Sequence, residues 1–95
     1  KMAGMEFEWD ADKDARNRSQ KGIGLSDAAR LDWYAAVREV DERRDYGEVR
    51  VRAYVTMERR LYVCVYTMRG TVLRVISLRK ANSREERRYE QTDTT

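Results

Sequence analysis

The sequence contains no histidine and no proline, and its only cysteine is Cys64. Without histidine the chain lacks both the commonest general base and the commonest metal ligand, and one cysteine alone does not build a zinc site. The single cysteine also excludes an internal disulfide, which argues against a disulfide-stapled extracellular fold. Because Cys64 lies within an apolar segment, we interpret it as a buried, unreactive thiol.

Long apolar runs are also missing. No segment approaches the ~18 consecutive apolar residues that a membrane-spanning helix needs, and no signal peptide is visible, so we expect a cytoplasmic protein with no membrane partner. The 95 residues are 41% hydrophobic and 39% charged, with a mean hydropathy of −0.90. This balance predicts one modest core in a single domain at 1–95, ordered over 5–90 and ending in a flexible tail at 91–95.

Arginine, by contrast, is abundant. Twenty basic residues against seventeen acidic ones give a net charge of only +3, but sixteen of the twenty are arginine. The planar guanidinium fork binds phosphate or carboxylate groups through paired hydrogen bonds, which a lysine ammonium does not. The composition therefore favours a nucleic-acid partner and an acidic protein partner about equally.

The hydrophobic pattern predicts short strands and helices along the whole chain. In order, the predicted elements are a strand at 5–9, a helix at 11–20, a helix opening at Ser26, a strand at 36–40, a turn at 41–48, strands at 49–58, 61–68 and 71–79, and a helix from Ser83 to about Gln91. Tight turns at Arg59-Arg60 and Arg69-Gly70 join the last three strands into an antiparallel meander. We therefore predict an α+β fold with its helices packed on one side of the sheet.

Particular side chains set the expected helix ends and buried faces. Asp10 is an N-cap signal for the first helix, and Gly22 is the signal that ends it. Ser83, with Glu86 three residues later, forms a capping box for the last helix, which Tyr89 would dock. The expected buried stripe of the second helix is Leu25, Ala28, Ala29 and Trp33, and the expected buried face of the first meander strand is Val49, Val51, Ala53, Val55 and Met57.

Several short segments carry a resemblance through their order and spacing. They are Phe7-Glu8-Trp9-Asp10; Asn17, Gly22 and Ala28; Asp45-Tyr46-Gly47-Glu48 with Arg50; Val65-Tyr66-Thr67 with Arg69-Gly70; and Arg74-Val75-Ile76-Ser77 with Arg79-Lys80-Ala81, Glu86-Arg87 and Tyr89. Each segment alone is a weak signal. Together, over residues 5–90, they make the chain resemble the BrnT family, the toxin half of a type II toxin–antitoxin pair.

The resemblance implies a RelE-like fold and ribonuclease activity that halts translation. It also implies neutralisation by a cognate antitoxin that binds DNA through a ribbon-helix-helix segment, so that contact with DNA comes only through the antitoxin. The family usually has Lys-His-Gly where this chain has Gln20-Lys21-Gly22, and often a histidine where it has Arg44. Cations at both places keep the charge stabilisation and weaken proton transfer, which leaves the general base open.

RNA cleavage by its own 2′-hydroxyl needs an in-line attack, an acceptor for the proton, and cations around the phosphoryl transition state. It needs no metal and no other cofactor. Preorganised donors supply the largest share of such catalysis, and general acid–base help adds about 10²–10⁴-fold. The candidate catalytic residues are Lys21, Glu48, Arg69, Arg74 and Arg79, and the candidate RNA-binding residues are Arg50, Arg52, Tyr66 and Lys80.

Lys21 and Glu48 are the two candidate general bases. A lysine among several arginines is pushed toward its neutral form by like-charge repulsion, which is the argument for Lys21. Arg74 and Arg79 pose a geometric problem, because residues five apart on an unbroken strand point to opposite faces. They reach one site only if a β-bulge intervenes or if Arg79 lies beyond the last ladder bond.

Other interpretations of the same residues stay open. Arg50 and Arg52 fit an ordinary solvent-exposed strand face, and Tyr66 fits cross-strand packing better than base stacking. The arginines and glutamates at 84–90 fit a self-neutralising solvated helix. The alternative function is therefore a non-catalytic basic binding protein, for nucleic acid or for a protein, or a weakened toxin. Exposed sheet edges and the arginine-rich surface also favour a tight partner or a homodimer.

Overall fold

A computed structural model describes residues 5–93 of the chain. Within this range the helices and strands are β1 (Glu6–Glu8), α1 (Ala11–Lys21), β2 (Val37–Val40), β3 (Val51–Met57), β4 (Arg60–Arg69), β5 (Val72–Lys80) and α2 (Ser83–Asp93). Two 3₁₀ segments, Leu25–Arg30 and Trp33–Ala35, lie between α1 and β2. The strands form a five-stranded sheet in the order β1-β5-β4-β3-β2. The predicted α+β class is confirmed.

Helix α1 has the ends that its sequence predicts. The side chain of Asp10 accepts a hydrogen bond from the Lys13 backbone N–H at 2.9 Å, as an N-cap does. At the other end Gly22 adopts a left-handed conformation with φ of 75°, and its N–H bonds to the Arg18 carbonyl. No residue of α1 is buried; Asp14 and Arg18 join the helix to the first 3₁₀ segment, and Lys13 joins it to the sheet.

The expected second α-helix is wrong, because the chain forms 3₁₀ segments there. At three residues per turn, positions 25, 28 and 31 fall on one face. Leu25, Ala28 and Leu31 are buried in that pattern, whereas Ala29 of the predicted stripe is exposed. The core face of this segment therefore follows a period of 3.0. Trp33 is buried as expected.

Strands β3, β4 and β5 form the predicted antiparallel meander. The first turn falls at Glu58 and Arg59, both with positive φ, so β4 begins at Arg60. Strand β3 begins at Val51, and Val49, expected to be buried, is 68% exposed. Strand β2 adds to β3 in antiparallel fashion, and β1 pairs with β5 in parallel.

The two faces of the sheet are covered by different parts of the chain. One face, which we call the core face, packs against the 3₁₀ segments and carries the main hydrophobic cluster. The opposite face, which we call the α2 face, holds a smaller cluster against which Tyr89 packs. The members of the smaller cluster are Tyr54, Leu61, Val63 and Ala81, with Val37 and Tyr89 packed on them. The expectation that all helices pack on one side is therefore wrong.

Helix α2 is capped one residue earlier than its sequence suggested. Asn82 accepts from the Glu85 N–H, and the Glu85 carboxylate accepts from the Asn82 N–H, each at 2.9 Å. The reciprocal capping box is thus Asn82 with Glu85, not Ser83 with Glu86. The helix runs to Asp93, beyond the expected end at Gln91. The rest of the predicted tail, 94–95, lies outside the described residues.

Candidate functional site

A β-bulge in β5 decides where its arginines point. Arg74 pairs with Thr67, and Arg79 pairs with Val63, but the register shifts between these two pairs and leaves Ile76 without a partner. Thr67 and Val63 are four residues apart on β4 and so share a face. The extra residue therefore brings Arg74 and Arg79 to the same side of the sheet, as the bulge alternative required.

Two further arginines lie on this side. Arg52 pairs with Val65 of β4, which lies between Thr67 and Val63 on the same face. Arg50 precedes Arg52 by two residues and continues the alternation. We call the surface formed by Arg50, Arg52, Arg74 and Arg79 the arginine face; it occupies the part of the α2 face beside the Tyr89 cluster.

Carboxylates hold each guanidinium of the arginine face. Arg79 binds Glu85 of α2 through two hydrogen bonds, at 2.9 and 2.8 Å. Arg52 donates two hydrogen bonds to Glu39 of β2, at 2.9 and 2.7 Å. These bonds raise the pKa of both arginines and lower that of Glu39, and the Arg79 bonds lower the pKa of Glu85 to about 2.

The other two ion pairs are looser. Arg74 lies 3.6 Å from Glu8 of β1, which is longer than a hydrogen bond. Arg50 contacts Glu48 at 3.2 Å, and its guanidinium lies 4.2 Å from the centre of the Tyr46 ring. Arg50 is thereby held between a carboxylate and an aromatic face, a geometry that favours a cation. Glu48 is thus a partner of Arg50.

Asp41 anchors the loop that carries Tyr46, a role that the prediction of a turn at 41–48 did not include. Its side chain is 1% exposed and accepts two hydrogen bonds of 2.8 Å from Arg43. Tyr46 donates to it at 3.2 Å, and Arg52 lies 3.8 Å away. The bonds from Arg43 hold the pKa of Asp41 well below its ordinary value. This carboxylate connects the 41–48 loop to the arginine face.

Lys13 is the second residue that sequence reasoning missed. Its Nζ donates a hydrogen bond to the carbonyl of Ile76, the unpaired residue of the bulge. Burial lowers the pKa of Lys13, and the nearby Arg50 guanidinium lowers it further. The available signal was the composition of α1, whose only apolar residues are Ala11 and Ala15, so that polar side chains make its contacts. Lys13 is therefore a second lysine near the arginines, in addition to Lys21.

The predicted lysines lie at one end of β5. Lys21, at the end of α1, lines a shallow pocket together with Ile23, Arg79 and Lys80. Both lysines are exposed. The structure thus brings Lys21 and Lys80 to Arg79, at the far end of β5 from Arg74.

One predicted site residue lies on the opposite side of the sheet from the arginine face, and another lies far from Arg79. Tyr66 belongs to the core face: it is buried, meets Trp33 edge-on at 5.6 Å, and accepts a hydrogen bond from Arg38. Arg69 shares a side of the sheet with Thr67, the partner of Arg74, but it lies six residues along β4 from the partner of Arg79, or roughly 20 Å. One phosphate therefore does not meet both Arg69 and Arg79.

Residues 5–93 give little support for a metal site, a reactive thiol or a membrane-spanning helix. No cluster of His, Cys, Asp and Glu among residues 5–93 has the arrangement of a metal site. Cys64 is buried, and burial raises the pKa of its thiol to about 12, so it is not a nucleophile at neutral pH. No helix in the described range is long and apolar enough to cross a membrane. What the surface offers is a set of fixed guanidinium and ammonium donors.

Comparison with known proteins gives one family. No curated protein and no solved structure matches the chain. The family model for the ribonuclease toxin BrnT of type II toxin–antitoxin systems matches residues 9–85, which include α1, the sheet from β2 to β5 and the start of α2. The chain belongs to the BrnT family of ribonuclease toxins.

Proposed function

We propose that the protein is a metal-independent endoribonuclease toxin that inhibits translation and acts on RNA at the arginine face. Family membership implies a ribonuclease toxin with an RNA substrate and an antitoxin partner. The observation that carries the proposal is the Ile76 bulge, because it sets Arg74 and Arg79 on one side of the sheet with Arg52. A regular strand would have separated them.

The arginine face supplies what transesterification of RNA needs most. The 2′-oxygen attacks the adjacent phosphorus, the bond to the 5′-oxygen breaks, and negative charge grows on the phosphoryl oxygens. Arginine forks held in place before the reaction stabilise that charge without reorganisation. The proposed centre of this charge stabilisation is Arg79. Its side chain is 44% exposed, and Lys21 and Lys80 lie beside it.

The proton of the 2′-hydroxyl needs an acceptor, and the chain has no histidine. Lys21 lies beside Arg79 and Lys80. Glu48 is bound to Arg50. Lys21 is therefore the better placed base for cleavage at Arg79, and Glu48 the better placed for cleavage at Arg50.

The remaining expectations belong to the same proposal. We infer a RelE-like arrangement of helices around the meander, a cytoplasmic site of action, and a cognate antitoxin that reaches DNA through a ribbon-helix-helix segment. Strand β2 is an outer strand of the sheet. Its free edge supports pairing with an antitoxin strand or with a second copy of the chain.

The direct test is degradation of bulk RNA in EDTA by the wild type and by Arg79→Ala. We expect the wild type to cleave and the variant to lose at least about 100-fold in rate, the cost of removing one transition-state donor. Arg87→Ala, on the exposed part of α2, is the matched control and retains the rate. Circular dichroism establishes that both variants are folded. Equal rates for wild type and Arg79→Ala would refute the role of Arg79.

A second function is supported by the ion pairs themselves. All four guanidinium groups of the arginine face have carboxylate partners, and no histidine is present to move a proton. A non-catalytic RNA-binding or antitoxin-binding protein fits both facts. Steeply salt-dependent RNA binding without products at any enzyme concentration would favour this function over the ribonuclease.

A further inference from the structure

Lys13 extends the cationic surface from the sheet onto α1. The residue follows Asp10, the N-cap, by three positions, and β1 ends just before that cap at Glu8, the ladder partner of Arg74. Its Nζ reaches the carbonyl of Ile76, two residues after Arg74. The ammonium is therefore fixed at the bulge.

The ammonium of Lys13 has more hydrogen-bond donors than partners among the described residues. A lysine ammonium carries three N–H donors. Among the described residues its contacts comprise one hydrogen bond, to the Ile76 carbonyl, and no carboxylate lies within ion-pair distance. Two donors are thus left for a ligand, on a side chain that is already half-buried and held in one direction.

The surroundings of Lys13 are mostly cationic. Arg50, Lys21 and Arg16 each disfavour its protonated form, and Asp10 favours it. Asp10 is itself engaged in capping α1. A partly buried cation among other cations, with no ion-pair partner, is a costly arrangement for a residue that only holds the bulge. An anion bound there would offset the cost.

We propose that Lys13 binds a backbone phosphate of RNA, as the contribution of α1 to the arginine face. The proposal rests on the proposed function, because it takes RNA as the ligand of that surface. A compact ammonium suits a single phosphate oxygen, whereas the surrounding guanidinium forks bind two. The bulge carbonyl gives the ammonium its position, and the two remaining donors point to the ligand.

The test measures binding of a 2′-O-methyl oligonucleotide, which is not cleaved, across a series of salt concentrations. Lys13→Met and Lys13→Gln both remove the charge, but the glutamine amide keeps a donor for the bulge carbonyl. Lys13→Arg keeps the charge. Arg16→Met removes one exposed positive charge from the same helix and is the matched control.

We expect Lys13→Met and Lys13→Gln to bind about tenfold more weakly than the wild type at low salt. Their log–log salt slope should be shallower by about 0.7, the value for one phosphate contact with a single strand. Lys13→Arg and Arg16→Met should keep the wild-type slope. Melting temperatures measured in parallel report on the fold.

The opposite pattern overturns the proposal. If Lys13→Gln binds with the wild-type slope, the residue only supports the bulge. If Arg16→Met weakens binding as much as Lys13→Met, the loss of affinity reflects the net charge of the protein and not a contact between Lys13 and a phosphate. The ribonuclease proposal can fail while the Lys13 proposal holds. A wild type that binds the oligonucleotide but never cleaves ordinary RNA contradicts the ribonuclease proposal. A salt slope that depends on Lys13 would still support the phosphate contact. If Lys13→Met is unfolded, the Gln and Arg variants decide alone.

Discussion

At the scale of single residues, the arginines of the arginine face are directed by carboxylates from other elements. Glu85 comes from α2, Glu39 from β2 and Glu8 from β1. Each carboxylate fixes a guanidinium in one direction, which reduces the entropy lost when a phosphate binds. The same carboxylates occupy donors that the phosphate would use. Under the proposed function, binding of RNA would exchange one anion for another at Arg79 and Arg52.

The exchange makes a prediction for Glu85→Gln. Removing this charge releases Arg79 from a two-bond ion pair, while the glutamine oxygen still accepts from the Asn82 N–H. We expect RNA affinity to rise several-fold and stability to fall by about 1 kcal/mol. Fluorescence anisotropy and denaturant unfolding measure the two effects. Glu86→Gln is the neighbouring control, and weaker RNA binding by Glu85→Gln would contradict the exchange.

At the scale of the element, the sequence before helix α2 offers two N-cap residues that local rules do not distinguish. Asn82 and Ser83 are both good N-cap residues, and each is followed three residues later by a glutamate. Ala81 decides between them, because it is buried and its N–H bonds to the Leu61 carbonyl. The chain leaves the sheet immediately after Ala81. The helix therefore starts with Asn82 as its cap.

A pair of alanine variants tests this assignment. Asn82→Ala removes the oxygen that accepts from the Glu85 N–H, so we expect it to lower the free energy of unfolding by about 1 kcal/mol. Ser83→Ala removes no capping bond and should lie within about 0.5 kcal/mol of the wild type. Urea denaturation followed by circular dichroism measures both. The reverse order would restore Ser83 as the cap.

At the scale of the whole molecule, the ionisable groups set the pH range of stability. Within residues 5–93, six carboxylates have a pKa below the ordinary value: Asp10, Asp14, Asp27, Glu39, Asp41 and Glu85. The unfolded chain takes up protons at these groups at a higher pH than the folded one. Their contribution to stability is therefore complete above the ordinary values of 3.8 and 4.5 and is lost as the pH falls through the folded values.

This charge distribution predicts the shape of the stability profile. We expect the melting temperature to stay constant from pH 8 to pH 6, because there is no histidine to titrate in that range. Below about pH 4 it should fall steadily as the paired carboxylates protonate. Thermal unfolding at pH 8, 6, 4 and 3, in one buffer of constant ionic strength, measures the profile. A fall between pH 8 and pH 6 would show that other groups control stability.

The sequence predicts the helix ends and the strand alternation of this protein well, but it predicts less well which residues are buried. Strand alternation, the Asp10 cap and the Gly22 end depend on neighbouring residues, so they are readable in the chain. The period of the segment at 25–31 is set by the core that it meets, which local propensity does not contain. Burial of Tyr54 likewise comes from α2, thirty residues later. Burial of this kind is predictable only when the surface that covers the residue is known.

What the sequence alone determined is the chemistry available: arginine forks without histidine, one inert thiol, and a meander whose segments follow the BrnT pattern. Only the tertiary structure decided which of those groups meet. A single unpaired residue, Ile76, turns Arg79 to the face of Arg74, and Lys13 of α1 binds that residue. Side chains alternate with a period of two along a strand, so one extra residue reverses every side chain beyond it. No composition or local pattern reveals where that residue lies.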